Sequence, residues 1–298
     1  MENLDILMVG HFAKDELIVD GKGEVASGGA VYYGSMALRR MGLNVAVATK
    51  LHPDDFPRLE ELRQAGIQVY ATPAAQTSGI ANYYQSSDME RRICKLIGFA
   101  GKFDLAEIPD IPVKVILISG IIAGEVDLAL LKALSQRAPL GLDVQGFVRI
   151  PEGEDLVFKP WLDMAEGLRT ITYLKVDQAE AEYLTGESDL KAAAGKLASY
   201  GPKEIILTQS SGPTVFANGE FYQAPFTPRV LLGRTGRGDT CFSSYVGRRL
   251  TAGPDEATRW AAAVTTLKQE KPGPWQGTVS EAEELMRQNL DRAVFDAA

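Results

Sequence analysis

The sequence is poor in the residues that build metal cages and covalent cross-links. Its 298 residues include two cysteines, Cys94 and Cys241, and two histidines. No CxxC pair and no Cys/His ligand spacing occurs, which leaves out zinc ribbons and disulfide scaffolds. Two cysteines so far apart suit reduced thiols and a cytoplasmic location. Positive charge is also in deficit: 31 Lys and Arg stand against 39 Asp and Glu, a net charge of −8. Nucleic acid needs a basic face, so no nucleic-acid partner is expected. A small phosphorylated ligand needs only a few local donors and remains open. Long apolar runs are missing as well. The most apolar internal stretch, Val115 to Gly124, is too short to span a bilayer, and no membrane association is expected. The opening MENLDILMVG lacks a basic start followed by a long apolar stretch, so it does not read as a signal peptide. Neither the phosphate-loop pattern G-x-x-x-x-G-K-[ST] nor a protein-kinase signature is present.

What remains is the composition of a globular chain, 45% hydrophobic and 23% charged, with enough residues for one large α/β domain and a small appendage. Ile6 to Val9, ended by Gly10, reads as a central strand. Further strands are expected at Val45 to Thr49 and Ile67 to Ala71, and near 115–119, 139–143, 171–175 and 203–208. Helices are expected from Ala30 to Met41, from Pro53 to Gly66, and near 125–137, 177–185, 189–199, 237–251, 255–268 and 280–290. The segment 213–223 reads as a hairpin turning at Asn218-Gly219. Repeated strand–helix units imply a mostly parallel sheet covered on both faces. Two segments break the rhythm: 15–26, with Gly21 and Gly23, and 79–98, with two strands around the turn Ser86-Ser87-Asp88. Together they would form a small separate sheet. Ligands of such folds sit beyond the carboxyl ends of the strands.

The stretch richest in chemistry is Arg234-Thr235-Gly236-Arg237-Gly238-Asp239-Thr240-Cys241-Phe242. Cys241, Phe242, Tyr245, Val246 and Leu250 share one face at helical spacing, so the glycines stand at a helix N-terminus. The first N–H groups of a helix lack internal acceptors and carry partial positive charge. Glycines let an anion come close to them. Asp239, in the first turn, is placed to accept a proton from an attacking hydroxyl. Acidic residues also occur in first turns simply as partners of the helix dipole, and spacing alone gives these two readings equal weight.

Gly236-Arg237-Gly238-Asp239 resembles the Gly-Ala-Gly-Asp signature of the ribokinase-like (PfkB) carbohydrate kinases. Ser27-Gly28-Gly29, before a helix ending in Met41-Gly42, resembles their Gly-Gly motif. Lys175-Val176-Asp177-Gln178-Ala179-Glu180, followed by Leu184-Thr185-Gly186, resembles their Asn-x-x-Glu block. Leu207-Thr208-Gln209-Ser210-Ser211-Gly212 resembles their nucleotide-holding strand and loop. The order is that of the family, and the likeness spans nearly the whole chain, nearest to the inositol-kinase-like members. It implies a three-layer α/β sandwich over residues 1–298 as a single domain, with a β-sheet lid built from about 12–26 and 79–98. It implies ATP and Mg²⁺ as cofactors. Asp239 would be the base, with Gly236, Arg237 and Gly238 around the anion hole. Asp15, Gly28, Gly29, Tyr33 and Asp143 would face the substrate. Lys175, Asp177, Thr208, Ser210 and Gly212 would hold the nucleotide, with Lys268 and Gly273 flanking the adenine. Glu180 would help hold the metal, through water. The lid sheet of relatives often pairs across a dimer, so a homodimer through the lid is an expectation too.

The sequence departs from the family at several of these positions. Arg237 replaces the usual alanine, and its side chain has two readings, a phosphate contact or a solvated arm. Asp177 replaces the asparagine and either adds charge near the metal or caps a helix. Gly233 and Arg234 replace the Asp and Thr that often open the signature, which puts the monovalent-cation site of some relatives in doubt. Tyr32 and Tyr33 stack on a ligand or pack in the core. Asp143, in a stretch Gly141 to Arg149 that resembles inositol-kinase-like members, contacts substrate or caps a loop. His11 faces the pocket or serves the structure. The expected activity is ATP-dependent phosphorylation of a hydroxyl on a sugar or cyclic polyol, with a nucleoside as the alternative acceptor. A non-catalytic sensor of sugar or nucleotide on the same fold is the alternative of another class.

Overall fold

The computed structural model describes residues 3–85 and 88–296. The expected turn at Ser86 and Ser87 lies outside the described residues. The chain opens with β1 (Ile6–Val9), then the hairpin β2 (Ala13–Val19) and β3 (Lys22–Gly28), then α1 (Ala30–Arg40) and β4 (Val45–Leu51). Next come α2 (Glu60–Gln64), β5 (Gln68–Pro73), β6 (Gly79–Gln85), β7 (Asp88–Gly98), β8 (Val115–Ile118), α3 (Leu128–Ser135) and β9 (Leu140–Asp143). A short α4 (Gln145–Val148) leads into a second hairpin, β10 (Arg149–Glu152) and β11 (Asp155–Phe158), and then α5 (Met164–Leu168). The last part runs through β12 (Ile171–Asp177), α6 (Gln178–Thr185), α7 (Leu190–Ala198), β13 (Glu204–Thr208), β14 (Pro213–Ala217) and β15 (Glu220–Gln223), ending in α8 (Arg237–Arg249), α9 (Pro254–Gln269) and α10 (Val279–Asp296).

The large sheet has the order β15-β14-β13-β12-β9-β8-β1-β4-β5. It is parallel from β13 to β5, and the β14–β15 hairpin adds an antiparallel edge. Its inner strands are buried on both faces, so they read as unbroken apolar runs rather than as alternation. Within β1, Leu7 and Val9 join the core under α3, α6 and α7, while Ile6 and Met8 join the core under α1, α8 and α9. That alternation makes the three layers: helices, sheet, helices. The direction of strand order reverses between β1 and β8, and such a point leaves a crevice at the strands' carboxyl ends.

The small sheet has the order β10-β11-β7-β6-β2-β3. The sequence reading gave it four strands, and the hairpin β10–β11 is a third contribution it missed. Pro151 and the charged Glu152, Glu154 and Asp155 hide the hairpin, since its strands are half-buried or exposed and their apolar run, Leu156 to Phe158, is only three residues long. The helix expected from Pro53 to Gly66 is split into a 3-10 segment, Pro53–Leu59, and then α2. Pro57 has no N–H to donate within the first part, which removes a helical hydrogen bond. Among the described residues no helix is long and apolar enough to cross a membrane.

Candidate active site

The carboxyl ends of β12 and β13, the start of α8 and one face of the small sheet enclose a cavity. Asp15 and Asn82 reach it from β2 and β6, Arg149 from β10, Lys175 and Asp177 from β12, and Thr208 from β13. Arg234 and the run Thr235 to Asp239 line its far side. Gly236 precedes α8 in the left-handed conformation at φ 79°, and no side chain caps the helix. Only glycine takes that conformation without strain, and here it is required twice over: a Cβ on Gly236 would stand 2.3 Å from Cγ of Tyr33. The first turn of α8 is therefore left open towards the cavity, with the positive end of the helix dipole behind it. The Arg237 N–H donates to the Arg234 carbonyl at 3.1 Å, so the amide that this turn offers to an anion begins at Gly238.

Lys175 stands directly over that turn. A Cβ on Gly238 would lie 3.5 Å from Cε and 3.7 Å from Nζ of Lys175. The side chain is 5% exposed. Its Nζ donates to Asp143 Oδ1 at 3.1 Å and lies 3.7 Å from Glu180 Oε2. Burial alone would discharge it, but Asp143, Glu180, Asp177 and Asp239 outweigh burial and hold the ammonium well above the ordinary lysine value. Asp177 and Glu180 form a reciprocal capping box at the start of α6: the Glu180 N–H donates to Asp177 Oδ1 at 2.8 Å, and the Asp177 N–H to Glu180 Oε2 at 2.7 Å. Burial pushes the Glu180 carboxyl up to about 7, against the pull of Lys175. On the opposite wall, Asp15 accepts the Ile80 N–H at 2.9 Å, which ties β2 to β6.

The family model described as pfkB family carbohydrate kinase matches residues 4–278. The chain belongs to the PfkB family of carbohydrate kinases. A solved pyrophosphate-dependent kinase in the ribokinase family, bound to sulfate, is 37% identical, with TM-score 0.86 over 94% of this chain and 99% of that one. A second solved structure of a pyrophosphate-dependent kinase in the ribokinase family, complexed with a pyrophosphate analog and myo-inositol, is 35% identical, with TM-score 0.86 over 95% of this chain and 99% of that one. The cytidine kinase of Thermococcus kodakarensis is 25% identical over 290 residues, 93% of this chain and all of that protein. As a PfkB kinase the protein is a phosphotransferase with a hydroxyl as acceptor.

Within this PfkB chain the expected residues fall into two groups. Asp239, Gly236, Arg237, Gly238, Asp15, Gly29, Tyr33, Lys175, Asp177 and Thr208 all line the cavity. The others do not. Gly28 lies behind Asp15, whose Oδ2 would be 2.2 Å from a Cβ placed there. Asp143 is taken by Lys175 and by the Gln145 N–H, which it accepts at 3.1 Å, so it holds the lysine and caps a loop. Ser210 and Gly212 belong to the β13–β14 turn, off the cavity, where Gly212 packs against the Ala224 carbonyl. Gly273 and Lys268 border an adjoining groove that shares Tyr33, Arg234 and Thr235 with the cavity, and the Lys268 ammonium is turned to the carbonyls of Gly233 and Thr235. His11 is buried, with Nδ1 2.7 Å from Ser78 Oγ and its ring against Phe99 and Phe103, so its role is structural.

Asn82, Gln145, Arg149 and Arg234 line the cavity without having been expected there. Asn82 had a legible signal, an amide in the middle of an otherwise apolar and aromatic run, Ile80 to Tyr84. Gln145 and Arg149 fall in the Gly141 to Arg149 stretch that resembles inositol-kinase-like members, but the hairpin that turns Arg149 to the cavity was not foreseen. For a divalent ion the structure offers hard oxygens: the buried Oε1 of Glu180 has no hydrogen-bond partner, and Asp177 borders the cavity beside it. This suits Mg²⁺, which keeps several of its waters and takes one or two carboxylates. Among the described residues no group of three or more His, Cys, Asp or Glu could cage an ion, so the phosphate oxygens of a donor would complete the shell.

Proposed function

We propose that this PfkB kinase transfers a phosphoryl group from inorganic pyrophosphate to a hydroxyl of myo-inositol or a closely similar cyclic polyol. The observation that carries the donor is the make-up of the phosphate end of the cavity. Lys175, Arg234, Arg237 and the open start of α8 gather there, while Ser210 and Gly212, expected to hold a nucleotide, and Gly273, expected beside its adenine, do not line it. Concentrated positive charge suits a small, highly charged anion that brings no base or ribose. The two solved structures at 35% and 37% identity, both of a pyrophosphate-dependent kinase, support the same reading. The acceptor rests on the polar side chains of the other wall, Asp15, Asn82, Gln145 and Arg149, which suit a ring bearing hydroxyls all round. Sites that hydrogen-bond such hydroxyls reject analogues lacking them by about 10⁴–10⁵-fold.

In this reading the Asp239 carboxylate accepts the proton of the attacking hydroxyl. The hydroxyl oxygen bonds to the nearer phosphorus, the bridging P–O bond breaks, and inorganic phosphate leaves. Lys175 and the Gly238 amide meet the phosphoryl oxygens as charge moves to the leaving group, a preorganised field of the kind that dominates phosphoryl transfer. Mg²⁺ held by Glu180 and Asp177 through water would neutralise donor charge. The small sheet acts as a lid, excluding water and so preventing idle hydrolysis of the donor.

The test is turnover with pyrophosphate or ATP as donor, against inositols, sugars and nucleosides as acceptors. Phosphorylation of an inositol with pyrophosphate is the expected outcome. Turnover with ATP alone restores the nucleotide donor implied by the sequence motifs, and turnover on cytidine alone moves the acceptor to nucleosides, in line with the cytidine kinase relative. Binding without turnover for every pair makes the protein a sensor. Asp239→Asn separates the base from mere packing: turnover should fall by about 10²–10⁴-fold with donor binding retained, and unchanged turnover removes Asp239 from the reaction.

A further inference from the structure

Lys268 is an ionisable side chain that the proposed reaction does not use directly. It lies on α9 and is 1% exposed. Its Nζ donates to the Gly233 carbonyl at 2.5 Å and to the Thr235 carbonyl as well. It also lies 5.1 Å from the centre of the Tyr33 ring, and that ring is the one packed on Gly236. The loop it grips ends where α8 begins. The same loop is held to α9 by the backbone: the N–H groups of Leu232 and Gly233 both donate to the Gln269 carbonyl, at 2.9 and 2.8 Å. Gly233 admits no side chain there, since a Cβ would stand 1.9 Å from the Lys271 carbonyl oxygen.

Two carbonyls two residues apart, aimed at one point beneath an aromatic face, make a cation site. Here the chain fills it with its own ammonium. Burial pushes that ammonium down to about 7, with Asp239 acting to keep the proton and Arg237 acting against it. The carbonyl oxygens and the face of Tyr33 stabilise the charged form further.

We propose that Lys268 is a positioning residue whose tethered charge fixes the Gly233–Thr235 loop, and through it the Gly238 amide and Asp239, so that turnover needs no free monovalent cation. The proposal rests on the reading of α8 as the anion-binding and proton-accepting element. Without the ammonium the two carbonyls repel each other across an empty pocket and the start of α8 loses its anchor. A small cation of the right size can then replace the missing charge.

The experiment compares the wild type, Lys268→Ala and Lys268→Met in choline chloride, and in the same buffer with added ammonium or potassium chloride. The wild type should turn over equally in all three salts. Lys268→Ala should lose at least tenfold in kcat in choline, with little change in the KM of the acceptor, and recover in a saturable way with ammonium or potassium. Lys268→Met, which fills the pocket with an uncharged chain, should be impaired and not recover. A wild type that requires potassium or ammonium overturns the proposal, even if neither variant folds. So does a folded Lys268→Ala with full turnover in choline, or one that no monovalent cation rescues. If the wild type shows no turnover with any donor and acceptor, the reading of the reaction fails instead. Lys268 is then decided by melting: Lys268→Ala should gain thermal stability from ammonium over choline where the wild type does not, and equal shifts for both reject the tethered cation.

Discussion

Two buried ionisable side chains, Lys175 and His11, each make a measurable claim. Lys175 neutralises Asp143 and Glu180 where neither can reach bulk water. Removing one partner of such a cluster leaves uncompensated charge, which costs about 3–5 kcal/mol. Lys175→Met should therefore lower the denaturant-unfolding free energy by that order, and adding Asp143→Asn should restore part of the stability but none of the turnover. Equal stability of Lys175→Met and wild type would show that the cluster holds no net charge balance. His11 makes the pH claim. Burial lowers its pKa below the ordinary 6.5, with Glu125, Glu107 and the Gly101 carbonyl pulling the other way and Lys50 adding to burial. The unfolded chain then binds the proton more readily than the folded one between the depressed value and 6.5, so stability falls as pH drops through that window. His11→Asn can keep a polar contact to Ser78 but cannot titrate there. Melting curves of the two proteins should diverge less at pH 5 than at pH 7, because only the wild type pays the protonation cost in acid. A constant difference across that range would show that His11 does not take up a proton on unfolding.

At the scale of elements, the sequence carried the strand–helix alternation because each inner strand is a continuous apolar run and each covering helix has a one-sided apolar face. It did not carry the β10–β11 hairpin, whose strands are short, charged and held mainly by β7 and by each other. The Gly-rich start of α8 was legible from composition; the clamp at its other end was not, because it joins residues about 40 positions apart. There the Tyr245 hydroxyl donates to Glu204 Oε2 at 2.5 Å, and Arg249 makes a forked pair with the same carboxylate. Both the Tyr245 hydroxyl and the Arg249 guanidinium are held in their protonated forms, the first by burial and Glu204, the second by its hydrogen bonds to Glu204. A helix fixed at its C-terminal end in this way presents its N-terminus at a set height over the sheet. Glu204→Ala removes the shared acceptor and should cost several kcal/mol, the order found when a buried pair loses one member. The midpoint of unfolding should fall accordingly, while acceptor affinity, decided on the far side of the cavity, should change little. A variant as stable as wild type would mean that the packing of Phe242 and Val246 alone holds α8 in place.

The whole molecule divides the labour of the site between its two sheets. Side chains from the small sheet, Asp15, Asn82 and Arg149, form one wall, and the large sheet with α8 supplies Lys175, Arg237 and Asp239 on the other. The sequence showed that a second sheet existed but, apart from Asp15, not which of its residues turn inward, because inward and outward positions of a half-buried strand differ only by register. The register that places Asn82 opposite Cys94 and beside Leu17 is set by pairing between segments far apart in the chain. If, as proposed, the two sheets hold acceptor and donor respectively, losses of donor and acceptor contacts should separate in kinetics. Asn82→Ala removes a buried polar side chain from the proposed acceptor wall and should raise the acceptor KM by about tenfold, the scale of a lost hydrogen bond of 1–1.5 kcal/mol, with the donor KM unchanged. Arg237→Ala should do the reverse, raising the donor KM and, with the proposed pyrophosphate donor, weakening inorganic phosphate as a product inhibitor. Were each variant to move both constants together, the two walls would be acting as one rigid pocket, and the division of the site between the sheets would have to be given up.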